Sequence, residues 1–310
     1  MIRNYFKIAW RNFIKHRRYS AIKIGGFAFS VAACIQIGLY ITHETSYDKS
    51  YPDGDQLFRA IRQFTAEHGD IIKGLSFQAP MAEALKADFP EVMEAGRLLP
   101  SPLFGAGSNQ VSTDVRPESL YEGGFVYADQ GLLDMLQLPL AEGSRQHALT
   151  EPNMVVMTAS KAKKYFPEGN PVGKVIYLNN DKSKPYTVKG VLEDIPVNSH
   201  LHGYDFFLSL SGLLSQPGER ANWMANNYVT YLKVRPGTDP DQLSAKITRH
   251  ILDTYWIPAM KAAGQQLPEW FGTVKLTLQP VPDIHLHSGD IREYYEANPK
   301  GDIRFVWLFG

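Results

Sequence analysis

Cysteine is nearly absent: Cys34 is the only one in 310 residues, so no intrachain disulfide is possible and the fold rests on packing. Net charge is absent as well, with 32 basic residues against 32 acidic ones. Catalytic motifs are equally scarce. A phosphate loop needs G-x-x-x-x-G-K-[ST], in which backbone N–H groups and a lysine surround the phosphates and a hydroxyl holds magnesium. In "GNPVGKVI", Gly169 and Gly173-Lys174 stand one residue too close and Val175 has no hydroxyl, so the chain does not bind ATP by itself. There is no G-x-S-x-G elbow and no H-E-x-x-H pair. The acidic pair Glu193-Asp194 precedes Pro196 and reads as a solvated turn. No catalytic residue and no cofactor site is assigned, and an enzyme is not expected.

Two His-x-His pairs, His200/His202 and His285/His287, carry the sharpest metal-like spacing. On an extended segment, positions i and i+2 share a face, so each pair offers two imidazoles to one zinc, with Asp205 or Asp283 nearby. Both pairs sit among Asn, Ser, Gly and Asp, where a histidine is ordinarily a partly exposed turn residue, and no metal site is assigned.

Charge is also missing from Ile24 to Thr42. The 18 residues from Ile24 to Ile41, rising about 1.5 Å each, cover most of a roughly 30 Å hydrocarbon core. A cleaved export signal has a shorter apolar region, and here the run continues through Ile37, Leu39, Tyr40 and Ile41. Val31-Ala32-Ala33-Cys34 is similar to a lipobox, but apolar chain rather than a polar tether follows Cys34. Cys34 reads instead as a small apolar residue inside a membrane helix.

The flanks orient that helix. Arg3, Lys7, Arg11, Lys15, Arg17, Arg18 and Lys23 precede it without an acid among them, and Glu44 and Asp48 follow. The positive-inside rule places the N-terminus in the cytoplasm and the remainder outside. Setting those seven cations aside leaves 25 basic against 32 acidic residues, a mildly acidic body that is no nucleic-acid binder.

Residues 1–20 read as an amphipathic helix on the inner membrane surface. Ile2, Tyr5, Phe6, Ala9 and Phe13 share one side, and Arg3, Lys7, Arg11, Lys15 and Arg18 another. Tyr5, Phe6, Trp10 and Phe13 would seat it in the interface, with Arg3, Lys7, Arg11 and Lys15 toward lipid phosphates. An ordinary basic flank that only sets topology is the other reading. Residues 21–42 form transmembrane helix 1, whose small residues Gly25, Gly26, Ala28, Ser30, Ala32 and Ala33 offer a surface for close helix packing. Gln36 then either meets a polar partner on another helix or reaches the interface.

The body, with 44% hydrophobic and 12% aromatic residues in the chain, has enough apolar content for a core. Alternation predicts strands in "LFRAIRQFTA", "YTVKGVLEDI", "YVTYLKVRPG" and "TVKLTLQPV". Helices are expected from Pro80 to before Pro90, from a Thr158 or Ser160 cap to Pro167, and from an Asp239 cap through Trp256. The class is α+β: a membrane-anchored extracytoplasmic domain following one N-terminal transmembrane helix. Breaker-rich stretches "LLPSPLFGAGSN" and "LLSQPGERANWMANN" mark the edges of an inserted subdomain, roughly 105–225. At the end, "IRFVWLFG" (residues 303–310) reads as the opening of a second membrane helix or as a final core strand.

Taken in order, "MIRNYFKIAWRNFIKHRRYSAIKIGGFAFSVAA", "HETSYDKSYPDGDQLFRA", "FVYADQGLLDMLQLPLAEG", "MVVMTASKAKKYFPEGNPVGKVIYLNN", "YTVKGVLEDIPVNSHLHGYDFFLSL" and "PVPDIHLHS" resemble successive blocks of a MacB/FtsX-type ABC-transporter permease, of the large kind common in Bacteroidetes. The resemblance implies a bacterial inner-membrane protein with a periplasmic core domain over residues 43–300, made of a porter-like part and an inserted second part, and a transmembrane helix 2 opening at 301–310. It implies mechanotransmission: a partner ATPase hydrolyses ATP in the cytoplasm and membrane helices pass the movement to the periplasm, for export or for a lipoprotein or cell-envelope process. Implied partners are that ATPase, a second permease copy or second half of the same chain, a periplasmic adaptor or outer-membrane channel, and membrane lipids. By the same resemblance the chain is a fragment of a longer permease. An extracytoplasmic sensor domain of a membrane receptor is the alternative.

Overall fold

The computed structural model describes residues 2–293 and 300–309. It divides into one compact unit of residues 1–46 with 302–310, and another of residues 47–301. The first contains α1 (Ile2–Lys15) and α2 (Arg17–Glu44). Along α2 the polar side chains are absorbed by the helix itself: Ser30 Oγ donates to the Gly26 carbonyl at 2.9 Å and Thr42 Oγ1 to that of Gly38 at 2.8 Å. At 28 residues and a mean hydropathy of 1.8, with none of its apolar stretch buried, α2 is long and apolar enough to cross a membrane.

The second unit begins with β1 (Leu57–Thr65), β2 (Ile71–Gly74), which folds back antiparallel onto β1, β3 (Ser76–Gln78), α3 (Met81–Asp88) and β4 (Val92–Leu99). Next come β5 (Gly107–Ser112), β6 (Leu120–Ala128), α4 (Gln130–Leu136), β7 (Leu140–Gly143), β8 (Met154–Thr158) and α5 (Ala159–Tyr165). They are followed by β9 (Val175–Leu178), β10 (Tyr186–Leu192), β11 (Phe206–Ser209) and α6 (Ser211–Leu214). The chain then runs through β12 (Asn226–Val234), α7 (Pro240–Ile251), α8 (Ile257–Ala262), β13 (Lys275–Pro280) and β14 (Ile291–Arg292). Last is α9 (Ile303–Phe309), in the first unit, a helix rather than a strand.

Two architectures share this unit. In the first, β1 lies between β12 and β13 and is antiparallel to both, and β4 is antiparallel to β12 on its far side. The order β13-β1-β12-β4, with α3 joining β1 to β4 and α7 joining β12 to β13, is the split βαβ arrangement of a ferredoxin-like sheet. Alternation explains why the helices cover one face: Phe58, Ala60, Leu232 and Val234 point into a core shared with Leu85 of α3 and Leu243, Ile247 and Ile251 of α7.

The second architecture lies between β4 and β12 in the chain. Strands β11, β8, β10, β9, β5 and β6 pair in succession, and β6 pairs back onto β11, so the six close into a ring with no free edge. Phe125 and Tyr127, Val155 and Met157, Ile176 and Leu178, and Phe206 and Leu208 fill its interior. The alternate residues Val126, Ala128, Val156 and Phe207 face outward, into a core completed by α4. The mixed α+β class follows from these two parts.

All four predicted strands and all three predicted helices form. Asp239 caps α7 as expected, accepting from the N–H groups of Asp241 and Gln242 at 2.9 and 3.1 Å. Thr158 occupies the cap position of α5, but its hydroxyl bonds Asp205, and Asp194 takes the Ser160 N–H instead, at 2.9 Å. The helix expected to run unbroken to Trp256 changes to a π-turn over Leu252–Trp256, because Pro258 has no N–H to return to the preceding turn.

Candidate functional site

Interface candidates Arg3, Tyr5, Phe6, Lys7, Trp10, Arg11, Phe13 and Lys15 all lie on α1, and all are exposed. Trp10 and Phe13 stack with ring centres 5.9 Å apart, as expected for neighbours three positions apart on one helix face. Gly25, Gly26, Ala28, Ser30, Ala32 and Gln36 are exposed on α2, with Ala33 half-buried. No atom lies within 4 Å of the place a side chain would occupy at Gly25 or Gly26. Cys34 is exposed on the same helix.

The histidine pairs separate. His200 and His202 occupy turns rather than an extended segment, so each ring finds its own partner: His200 Nδ1 is 2.8 Å from Asp48 Oδ1, and His202 Nδ1 is 2.9 Å from the Ile195 carbonyl. His285 is buried and lies flat on the Tyr47 ring with centroids 3.4 Å apart, while His287 is exposed. No group of three metal-type ligands forms among the described residues. Yet one member of each pair, His200 and His285, lines the same cavity of about 220 Å³.

That cavity lies where the sheet meets the first and last parts of the domain's chain. Asp48, in a left-handed conformation at φ 55°, donates its N–H to the Asn198 carbonyl at 2.9 Å. Its carboxylate accepts from both the backbone N–H and the ring of His200. Facing a carboxylate, Nδ1 carries the imidazole proton, which leaves Nε2 as the acceptor. Next to this pair the hydroxyls of Tyr51 and Ser199 are 2.8 Å apart, and burial together with the Asp48 charge pushes the Tyr51 phenol well above its ordinary range.

Arg59 forms the second half of the polar wall. It sits in β1 among buried neighbours and is 3% exposed, so every N–H needs a partner. Gln279 accepts from Nε and Nη2, Ser288 accepts from Nη2 at 3.0 Å, and Glu293 pairs with Nη1 at 2.6 Å. Lys300 Nζ donates to the carbonyls of Ser288 and Ile291 at 3.2 and 3.1 Å and lies 3.6 Å from Glu293. Tyr204 and Tyr231 also line the cavity, and burial raises both phenols, keeping them protonated as donors.

A second charged cluster sits outside this cavity. Glu122, 5% exposed, accepts from Lys161 at 2.6 Å, from Tyr165 at 2.7 Å, and from Lys164. Burial alone would raise its pKa, but the three donors outweigh that and hold it at about 2. Both carboxylate oxygens are engaged by donors of α5, so this cluster ties α5 to β6.

Sequence reasoning found the histidines but missed Asp48, Arg59, Glu293 and Lys300. Arg59 had a signal: a cation inside the apolar alternation of "LFRAIRQF" must find a partner. Asp48, within "SYDKSYPDGD", looks like any solvated turn.

The sequence profile of the family described as MacB-like periplasmic core domain matches residues 20–250. Among solved structures, a domain of a putative permease protein from Porphyromonas gingivalis is similar at a TM-score of 0.58 and 21% identity, covering 75% of this chain and 92% of that one. The periplasmic region of MacB from Actinobacillus actinomycetemcomitans aligns at a TM-score of 0.45 and 13% identity over 74% and 91% of the two chains. The extracellular domain of the noncanonic ABC-type transporter YknZ from Gram-positive bacteria aligns at 0.44 and 13%, over 72% and 99%. No curated protein matches.

Proposed function

Because the chain belongs to the MacB-like periplasmic core domain family, found in ABC-transporter permeases, we propose that it is a permease component that passes the state of a cytoplasmic ATPase to the periplasm. The observation that carries this is the reach of the family match, which runs from inside α2 to the last turn of α7. Membrane helix and domain therefore belong to one architecture. In this reading α2 is transmembrane helix 1 of the inner membrane, residues 43–300 lie in the periplasm, and residues 105–225, which hold the strand ring, are the inserted part. Residues 301–310 open transmembrane helix 2.

Residues 1–20 lie on the cytoplasmic surface through Tyr5, Phe6, Trp10 and Phe13, with Arg3, Lys7, Arg11 and Lys15 at the phosphates; the seven cations before Ile24 support this orientation. The exposed small residues of α2 pack against a helix of a second permease copy or of a second half. Nucleotide binding in the ATPase biases a two-state arrangement of those helices, and the domain follows. The cargo or process served is an export or cell-envelope step, with an adaptor or outer-membrane channel as a further partner.

The test is to reconstitute the full-length protein in lipid with an ABC ATPase from the same organism. A stable complex whose ATP hydrolysis rises several-fold over that of the ATPase alone is expected. Failure of the two to associate, with an unchanged hydrolysis rate, would remove the coupling role.

A further inference from the structure

The cavity in the 47–301 unit contains polar groups that the fold does not use. Arg59 gives four hydrogen bonds to Gln279, Ser288 and Glu293, so it serves the structure. Two others are not. The His200 side chain is 8% exposed, its Nδ1 is taken by Asp48, and its Nε2 has no hydrogen-bond partner among the described residues. A buried acceptor without a donor is uncommon and calls for an explanation such as an absent ligand. Arg292 lines the same cavity from an exposed position, and its guanidinium has no partner among the described residues.

The remaining surface narrows the chemistry. Leu75, Leu98, Val229 and Ile284 provide an apolar wall. Three cations, Arg59, Arg292 and Lys300, stand against one lining carboxylate, Glu293, so the cavity favours negative charge. An apolar cavity of roughly 150 Å³ takes a benzene-sized molecule, and this one, at about 220 Å³, is larger.

We propose that this cavity binds a small organic anion. The ligand has an apolar body of ring or short-acyl size, a carboxylate that pairs with Arg292, and a hydroxyl that donates to His200 Nε2. The site uses only residues of the extracytoplasmic domain, so it stands or falls apart from the ATPase coupling.

The test is calorimetric titration of the full chain in detergent with 4-hydroxyphenylacetate and with its uncharged counterpart, tyrosol. Saturable binding of the acid, at least tenfold tighter than tyrosol, is expected. Arg292→Glu, a change at an exposed position, should weaken the acid at least tenfold and leave tyrosol unaffected. Val229→Phe, which fills the apolar wall, should abolish binding of both; should that variant not fold, the Arg292→Glu comparison decides. Absence of saturable binding by the acid, equal affinity for tyrosol, or an Arg292→Glu protein that binds the acid normally would each overturn the proposal.

Discussion

Asp48 and His200, 152 positions apart, are joined by two hydrogen bonds to one carboxylate oxygen, from the His200 backbone N–H at 2.9 Å and from its ring at 2.8 Å. The pair fixes the start of the domain to the turn that follows β10. Both side chains are at least nine-tenths buried, so removing the carboxylate strands two donors out of reach of water. Asp48→Ala should cost about 1–3 kcal/mol, read as a lower thermal midpoint of the full chain in detergent. Asp48→Asn retains an acceptor and tolerates the positive φ, so it should cost less. Equal losses for the two would mean that neither the retained acceptor nor the tolerated φ matters, and that the negative charge of Asp48 is what holds His200.

The Arg59–Glu293 pair behaves differently, because it is an ion pair taken out of water. Losing Arg59 leaves the largely buried Glu293 with only the longer contact to Lys300, so Arg59→Met alone should destabilise by up to about 3–5 kcal/mol. The double variant Arg59→Met/Glu293→Leu should recover much of that loss. Chemical denaturation of the three proteins checks the order, and a double variant no better than the single one would contradict it.

Glycine at two positions is dictated by contact. A Cβ on Gly131 would lie 2.2 Å from the Ala95 carbonyl oxygen, and one on Gly96 would lie 2.3 Å from the Leu132 nitrogen. These approaches let α4 sit directly on β4, where Asp129 also accepts from Arg97 Nε at 2.8 Å and caps the helix at Leu132 N. Gly131→Ala should cost at least about 1–3 kcal/mol. Gly272→Ala, where nothing lies within 4 Å, should leave the melting temperature nearly unchanged.

Glu122 makes stability depend on acid. Its folded pKa of about 2 lies below the ordinary carboxylate value, so its contribution is fully present above about pH 5 and fades as pH falls toward 2. Between pH 6 and pH 3, Glu122→Gln should therefore lose less stability than the parent protein. Parallel slopes for parent and variant would show that the three donors do not hold the charge.

The sequence carried the elements well where one face is buried and one is not. In α7, Leu243, Ile247 and Ile251 recur at helical spacing because only the side toward the sheet is buried. It carried the ring poorly: β8, Met154–Thr158, is buried on both faces, so its pattern reads as a plain apolar run. The closure of β6 on β11 is a long-range pairing that no local signal announces. The cavity was half legible, through the histidines, whereas Asp48 and Lys300 acquire their roles only when distant turns meet. The π-turn before Pro258 could have been anticipated from proline chemistry alone.

The central claim is a domain outside the cytoplasm, anchored by α2 with its basic N-terminus inside. It is tested most directly by labelling intact cells with a membrane-impermeant maleimide, using single cysteines in a Cys34→Ser background. Leu103→Cys, at a position 88% exposed, should react before lysis, and Lys7→Cys only after it. Labelling at position 7 in intact cells, with position 103 protected until lysis, would contradict the account.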